Sequence, residues 1–390
     1  MKIFITCVFL LIIIGCNKQQ NGHNIAQHIV DINQPVTGTL NDFITDIDTI
    51  RLEVTDESLI KDIIQLHVID DRLYILANNS TVVFVFDLNG KYITKINNQG
   101  QGPNEYIAIS GFWIDPADKR VIISDSFSRK ILIFDKDCKP IKEIKLNFYP
   151  IFIVPYGNGY IHNSSGYWYN KNPELDYHIN FLDSNGVFIK SALKQENRNN
   201  INIKSWGMIN ILKNGDILFQ PPLSYIVYKI HDYDVIPYYE FNNLSKFKLL
   251  SHEEYTNFEY KFGKRNTLKE KEDQGYLLTW GDVYETNSFV LFLLKGYDIC
   301  RLLYYDKKSS KSLLIDPKAL RGDENTINFF LHDVCAVSGD RLYIAPSDYR
   351  ANKINGDNKI IDKKVKQFLD NTGFGSNPLL LSYKIKFPKE

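Results

Sequence analysis

The chain has 390 residues, of which 44% are apolar and 13% aromatic, with 24 Tyr and 24 Phe. That is enough apolar material for an extensive core, and the aromatic share leans toward strands. Lys plus Arg and Asp plus Glu balance at 46 each, so no overall field draws the protein to nucleic acid or anionic lipid.

Met1-Lys2 gives a positive start, and Ile3 to Ile14 is almost wholly apolar. This run is too short for a stable bilayer span but suits the core of a signal peptide. Gly15-Cys16 follows, a small residue before a cysteine that resembles the bacterial lipobox. The resemblance implies that residues 1–15 are a leader cut away before Cys16, which then carries the lipid. An ordinary signal peptide with an incidental cysteine is the alternative. Asn17 to about Gln34 is polar, rich in Asn and Gln and without periodicity, so residues 16–40 read as a flexible tether. The expected mature protein is held at a membrane by lipid and does not span it. Beyond Cys7 and Cys16, the cysteines Cys138, Cys300 and Cys335 cannot pair fully and show no C-x-x-C spacing. They read as small buried apolar residues.

Strand signals begin at Asp46–Glu53. From Asp71 to Leu146 the chain holds two copies of one unit that superimpose without a gap at an offset of 48: Arg72 on Arg120, Asp87 on Asp135, Ile93 on Ile141. A period of this length, made of short strands and turn residues, marks a β-propeller or similar array. The third strand of each copy, Val82–Phe86 and Ile131–Phe134, is a continuous apolar run, as a sheet packed on both faces requires. Unit three repeats the turn as Asp183 with Asn185-Gly186, and unit four places His231 in the same slot. Asn-Gly accepts positive φ and Asp can bond nearby N–H groups, which is the chemistry of a tight hairpin. A charged stretch at about 244–273 then breaks the period and reads as a helical insertion, with Ser251 and Glu254 as a capping box. Unit five restores the signature at Tyr304-Tyr305-Asp306. Unit six begins at Phe330-Leu331-His332, is interrupted by a polar stretch with a short helix expected at Ile360–Asp370, and ends at Leu379–Phe387.

Unit six lacks an outer strand, and the segment near Asp46–Glu53 lacks a partner. Pairing them closes a ring and removes a sheet edge. The expected fold is all-β: a six-bladed β-propeller over residues 41–390, closed by an N-terminal strand on the C-terminal blade. The lipobox, the period and the loop Gly100-Gln101-Gly102-Pro103-Asn104-Glu105-Tyr106 together resemble the six-bladed propeller lipoproteins of Bacteroidetes, which carry a G-x-G-P-x-E-[YF] loop near the second blade. The resemblance implies a fold related to TolB-like and NHL-repeat propellers and a lipid-anchored place in the cell envelope, at the outer membrane. Asn17–Asn21 lacks the acidic residues of a surface-export tag in this group, which favours the periplasmic face. It implies no general activity.

Candidate sites carry two readings each. Glu105 and Tyr106 belong either to a ligand-facing loop at the channel mouth or to a stiff connection between blades. Trp113, Trp206 and Trp280 fall near innermost strands, as an aromatic ring around a ligand or as packing at the narrow axis. Tyr167-Trp168-Tyr169 lies in a polar loop of blade three and would suit glycan stacking or a partner hot spot, or packing of an enlarged loop. His67, His162 and His332 read as strand positions. No G-x-S-x-G, H-E-x-x-H or phosphate-loop motif exists, and Asp232-Tyr233-Asp234 lacks the glycine and distal Glu of a calcium loop. The leading expectation is a non-enzymatic binding or scaffold propeller for a protein, peptide or glycan, without cofactor or metal. The alternative is a lactonase-like or glycan-active hydrolase or lyase using channel-mouth carboxylates and Ca²⁺.

Overall fold

Short strands separated by turn residues pair with their sequence neighbours, and the resulting sheets stack face to face. The computed structural model describes residues 26–164, 177–195, 208–242, 248–250, 264–279, 281–295, 299–322, 324–332, 334–345, 377–378 and 380–386. The N-terminal part forms β1 (His28–Asp31), a one-turn helix α1 (Leu40–Phe43) and β2 (Ile44–Ile50). Blade 1 holds β3 (Ile63–Ile69), β4 (Arg72–Ala77), β5 (Val82–Asp87) and β6 (Tyr92–Ile96). Blade 2 holds β7 (Gly111–Ile114), β8 (Val121–Asp125), β9 (Lys130–Phe134) and β10 (Pro140–Lys145). Blade 3 holds β11 (Phe152–Tyr156), β12 (Gly159–Asn163), β13 (Tyr177–Leu182) and β14 (Phe188–Lys194). Blade 4 holds β15 (Ile209–Ile211), β16 (Ile217–Phe219), β17 (Ile226–His231) and β18 (Asp234–Asn242). The pair β19 (Lys248–Leu249) and β20 (Tyr276–Leu277) flanks the insertion helix α2 (Lys264–Asp273). Blade 5 holds β21 (Asp282–Glu285), β22 (Phe289–Lys295), β23 (Cys300–Asp306) and β24 (Lys311–Ile315). After helix α3 (Glu324–His332), blade 6 is built from β25 (Val334–Ser338), β26 (Arg341–Ile344) and β27 (Leu380–Ile385).

The ring closes as expected: β2 is the outermost strand of blade 6, with Thr49 opposite Leu381 and Ile50 opposite Leu380. Six buried apolar clusters hold neighbouring blades together. The recurring aspartates are turn residues. Asp87 Oδ1 accepts the backbone N–H of Asn89 at 2.8 Å and of Lys91 at 2.9 Å. Asp135 does the same for Asp137 and Lys139, and Asp183 for Asn185 and Val187. Each such hairpin passes through positive φ at one slot, occupied by Gly90 (+83°), Cys138 (+63°) and Gly186 (+78°). At Gly90 a Cβ would also lie 2.2 Å from the Arg51 carbonyl oxygen, so glycine is required there.

Two expectations need correction. Part of the stretch read as a tether is built into the fold: β1 pairs in parallel with β18 at the outer edge of blade 4, with Val30 and Ile32 fully buried. The strap then crosses blade 5, where Val36 N donates to the Leu314 carbonyl at 3.0 Å, before reaching blade 6. Val30-Asp31-Ile32 does alternate, but over too few residues to stand out from its polar surroundings. The second concerns Phe330-Leu331-His332, which ends α3 and does not open a strand. Ile327, Phe330 and Leu331 are buried at the i, i+3, i+4 spacing of a helix face, a pattern that a short apolar run conceals. The insertion is helical over α2, while the capping-box positions 251 and 254 and the expected helix at 360–370 lie outside the described residues.

Candidate functional site

Strand direction alternates within every blade, so the connections fall into two groups at opposite ends of the inner strands. One group joins first to second and third to fourth strands, through hairpins as tight as 70–71, 157–158, 232–233 and 339–340. The other joins second to third strands and each blade to the next. It contains 97–110, 164–176, 195–208, 243–281 and 345–379.

The Gly100–Tyr106 loop belongs to the second group and is closed on itself. Gly100 N donates to the Tyr106 carbonyl at 2.9 Å, and Tyr106 N to the Asn98 carbonyl at 2.9 Å. Glu105 turns its carboxylate inward, where Oε2 accepts the Gly102 N–H at 2.7 Å, and a Cβ on Gly100 would strike that oxygen at 2.0 Å. Tyr106 is fully buried, and its hydroxyl donates to the Thr81 carbonyl at 2.7 Å. Lys130 Nζ donates to the carbonyls of Gly102 and Glu105, and pairs with Glu143 at 3.3 Å. Glu105 and Tyr106 therefore hold a stiff connection between blades, and neither lines the axis. The buried Asp125 carboxylate fastens this loop to the next turn by accepting the N–H groups of Ile107 (2.8 Å), Phe127 (2.9 Å) and Ser128 (3.2 Å). Asp125→Ala should cost about 2–3 kcal/mol, because three donors lose their acceptor together. Chemical denaturation of the variant checks this, and an unchanged midpoint would contradict it.

On the axis, side chains from β3, β7, β15, β21 and β25 enclose a cavity of about 110 Å³. Its polar and aromatic lining comprises Gln65, His67, Trp113, Asn210, Tyr284 and Cys335, and no Asp, Glu, Lys or Arg among the described residues lines it. Trp113 is 2% exposed and packs edge-on against Phe152, with ring centroids 5.7 Å apart. His67 faces the cavity but is otherwise enclosed. Burial pulls its pKa down to about 4, and its Nε2 lies 3.0 Å from the Phe112 carbonyl oxygen. The imidazole is thus neutral at pH 7. Gln65 Nε2 donates to the same carbonyl at 3.0 Å, while Gln65 Oε1 has no hydrogen-bond partner among the described residues. Asn210 Oδ1 accepts the Glu285 N–H at 3.0 Å. Burial raises the Tyr284 phenol well above its usual pKa.

Charged groups near the axis are paired with each other. Burial works against the Lys295 ammonium, but Asp282 at 3.1 Å leads a set of neighbours, Cys300 and Cys335 among them, that together leave the lysine pKa raised. Beside blade 5, Arg301 is 5% exposed, with Nε 2.6 Å from Asp316 and a terminal nitrogen 3.5 Å from Glu272. This buried triad ties α2 to the propeller. Among the described residues, no group of three or more His, Cys, Asp or Glu comes together as a metal site, and no helix is long and apolar enough to cross a membrane.

Of the sequence candidates, Trp113 lines the axis. Trp206, Trp280, Tyr167, Trp168, Tyr169 and Cys16 lie outside the described residues. Gln65, Asn210, Tyr284 and Cys335 escaped the sequence reading. The signal that could find them is a polar or aromatic residue within the first strand of a unit, the strand that lines the axis.

Two solved structures share the architecture. A protein of Bacteroides fragilis described as exported superimposes with a TM-score of 0.75 at 17% identity, covering 92% of this chain and 100% of its own. A member of the DUF4221 family from Bacteroides vulgatus gives a TM-score of 0.55 at 10% identity, covering 88% of this chain and 97% of its own. No curated protein matches the chain. Residues 24–384, from just before the strap to the last strand of blade 6, match the family described as domain of unknown function DUF4934, and the chain belongs to that family.

Proposed function

We propose that the protein is a lipid-anchored binding protein of the cell envelope, which presents the face built by its long connections to a protein, peptide or glycan. The contrast between the two groups of connections carries this reading. Tight hairpins close one end of the inner strands, and the chain spends its insertions at the other. Loops on a rigid scaffold are where binding residues concentrate. The scaffold is rigid here because the ring is closed and every blade is packed on both sides. At about 110 Å³ the axial cavity is small beside the roughly 300–1,000 Å³ of sites for drug-sized ligands, so a macromolecular partner would meet the face and not thread the axis. The leader-like N-terminus with Cys16, and a structural neighbour described as exported, support the envelope location.

A photo-crosslinking residue at Trp168, in the connection 164–176, tests the face. Adducts in intact cells are expected from Trp168 and not from Leu88, which is exposed on a tight hairpin. Equal yields from the two positions would overturn the assignment. Cys16→Ala is expected to abolish incorporation of labelled palmitate and to move the protein from the membrane to the soluble fraction. Retention in the membrane pellet without label would rule the anchor out. Resistance to protease added to intact cells, lost on opening the outer membrane, is the result expected for the periplasmic face.

A further inference from the structure

We propose that the hairpin end of the propeller lies on the lipid surface, with blade 4 held nearest to it and the long connections turned away. This deepens the reading above and rests on the anchor at Cys16. The first support is the direction in which the chain enters the fold. β18 leaves the tight hairpin at 232–233 and runs toward the long-connection end, and β1 lies parallel to it, from His28 opposite Tyr239 to Asp31 opposite Asn242. Followed back toward the N-terminus, β1 therefore runs toward the hairpin end. Its place is fixed by the fully buried Val30 and Ile32. Only ten residues of chain lead from Cys16 to Ala26, which is itself buried at the start of the strap. Ten residues reach at most about 36 Å, so a lipid on Cys16 keeps this rim of blade 4 close to the bilayer.

The second support is a side chain that the repeat places three times beside the hairpins. In blade 1 the outer strand pairs Tyr92 with Phe86 and Thr94 with Val85, so Ile93 is the extra residue of a β-bulge. Ile141 in blade 2 and Ile189 in blade 3 are skipped in the same way, each 48 residues after the last. A bulge re-aims the side chain it carries. These three isoleucines are between 42% and 55% exposed, and Val187 and Ile236 are exposed at the same ends of blades 3 and 4. One exposed isoleucine needs no explanation. The same one at the same bulge in three successive blades sets an apolar arc around the hairpin end, leading toward the blade where the anchor enters. Charges there are of both signs, Lys136 and Asp137 in one turn among them, so the attraction is apolar and not a steering to anionic lipid. A bilayer is the occupant that both observations share, since the tether already holds the propeller against it.

The mature chain with a single acyl chain attached chemically to its N-terminal Cys16 tests this, because one chain gives only marginal, reversible membrane binding and leaves the contribution of the protein face readable. Vesicles of phosphatidylethanolamine and phosphatidylglycerol carry a nitroxide on the headgroup. A fluorescent amino acid is introduced at Lys136 or at Phe127, both exposed and at opposite ends of blade 2. Quenching is expected at Lys136 and not at Phe127. Replacing the three isoleucines together, as Ile93→Ser, Ile141→Ser and Ile189→Ser, should lower vesicle partitioning at least about tenfold while the cooperative melting transition is kept, because half-exposed isoleucines have that much apolar surface left to bury. Because the acyl chain is supplied chemically, these results do not depend on whether cells lipidate Cys16, which palmitate labelling reports separately. Stronger quenching at Phe127, equal quenching at both positions, or a triple variant that partitions as the native chain does would overturn the proposal. So would a dimer in solution that the triple variant loses, since the patch would then belong to a second copy.

Discussion

A chain that begins at residue 51 is expected to lose cooperative folding, whereas one that begins at residue 36 folds with reduced stability. The first variant lacks β2, the fourth strand of blade 6, and leaves the edge of β27 unpaired along Leu380–Ile385. It also removes Leu40, Phe43, Ile44 and Ile50, which are between 1% and 8% exposed. At roughly 1.5–3 kcal/mol for each fully buried side chain, these four contribute about 6–12 kcal/mol, comparable with the whole stability of a typical domain. Arg341 loses its partners Asp46 (2.7 Å) and Asp48 (3.0 Å) in the same step. The second variant keeps all of this and loses only the strap, with its two fully buried residues Val30 and Ile32. By the same scale its cost is about 3–6 kcal/mol. Urea unfolding followed by far-ultraviolet circular dichroism separates the cases. A sigmoidal transition at an unchanged midpoint in the residue-51 variant would show that ring closure does not hold this propeller together.

Much of this arrangement was legible in the residues because the repeat writes the same chemistry at the same slot. An aspartate that accepts two N–H groups, followed by a residue at positive φ, can be read at Asp87, Asp135 and Asp183 before any coordinates exist. Closure was legible by elimination, since Asp46–Glu53 and unit six each lacked a partner. The site was less so. Glu105 has the chemistry of a ligand contact, but its direction is set by Gly102 N–H three residues back, which composition does not reveal. Tyr106 carries a hydroxyl that reads as functional, yet it serves the Thr81 carbonyl. The axis is lined by side chains from separate blades, Gln65, Asn210 and Tyr284 among them, which no spacing rule links. The strap and α3 escaped for a shared reason. The strap rests on Val30 and Ile32 and the helix on four residues within five positions, too short a stretch for periodicity to declare itself.

Stability is expected to fall by about 4 kcal/mol between pH 8 and pH 5, because two enclosed histidines must stay neutral in the folded protein. His162 on β12 is fully buried, both ring nitrogens are without hydrogen-bond partners among the described residues, and the Phe148 ring lies 4.8 Å away. Burial pulls its pKa down to about 3, and that of His67 to about 4. In the unfolded chain both return to near 6.5. Below that value the unfolded state binds more protons than the folded one, so stability declines as pH falls through 6.5 and the loss levels off only near the folded pKa values. At pH 5 each site is worth about 2 kcal/mol by this linkage. The carboxylates with lowered pKa values, Asp216 and Asp306 among them, contribute at lower pH, as the pH falls from their ordinary value through their folded one. His231 works in the opposite sense, since its hydrogen bond to Asp216 raises its pKa, and its stabilising effect is fully present below its unfolded value. His162→Leu replaces an unpartnered ring with an apolar side chain of similar bulk, and should roughly halve the decline between pH 8 and pH 5 while leaving stability at pH 8 equal or higher. The urea midpoint measured at both pH values for the native protein and the variant decides the matter. A native midpoint that does not move, or a variant that declines as steeply as the native chain, would show that protonation of these rings is not what acid acts on.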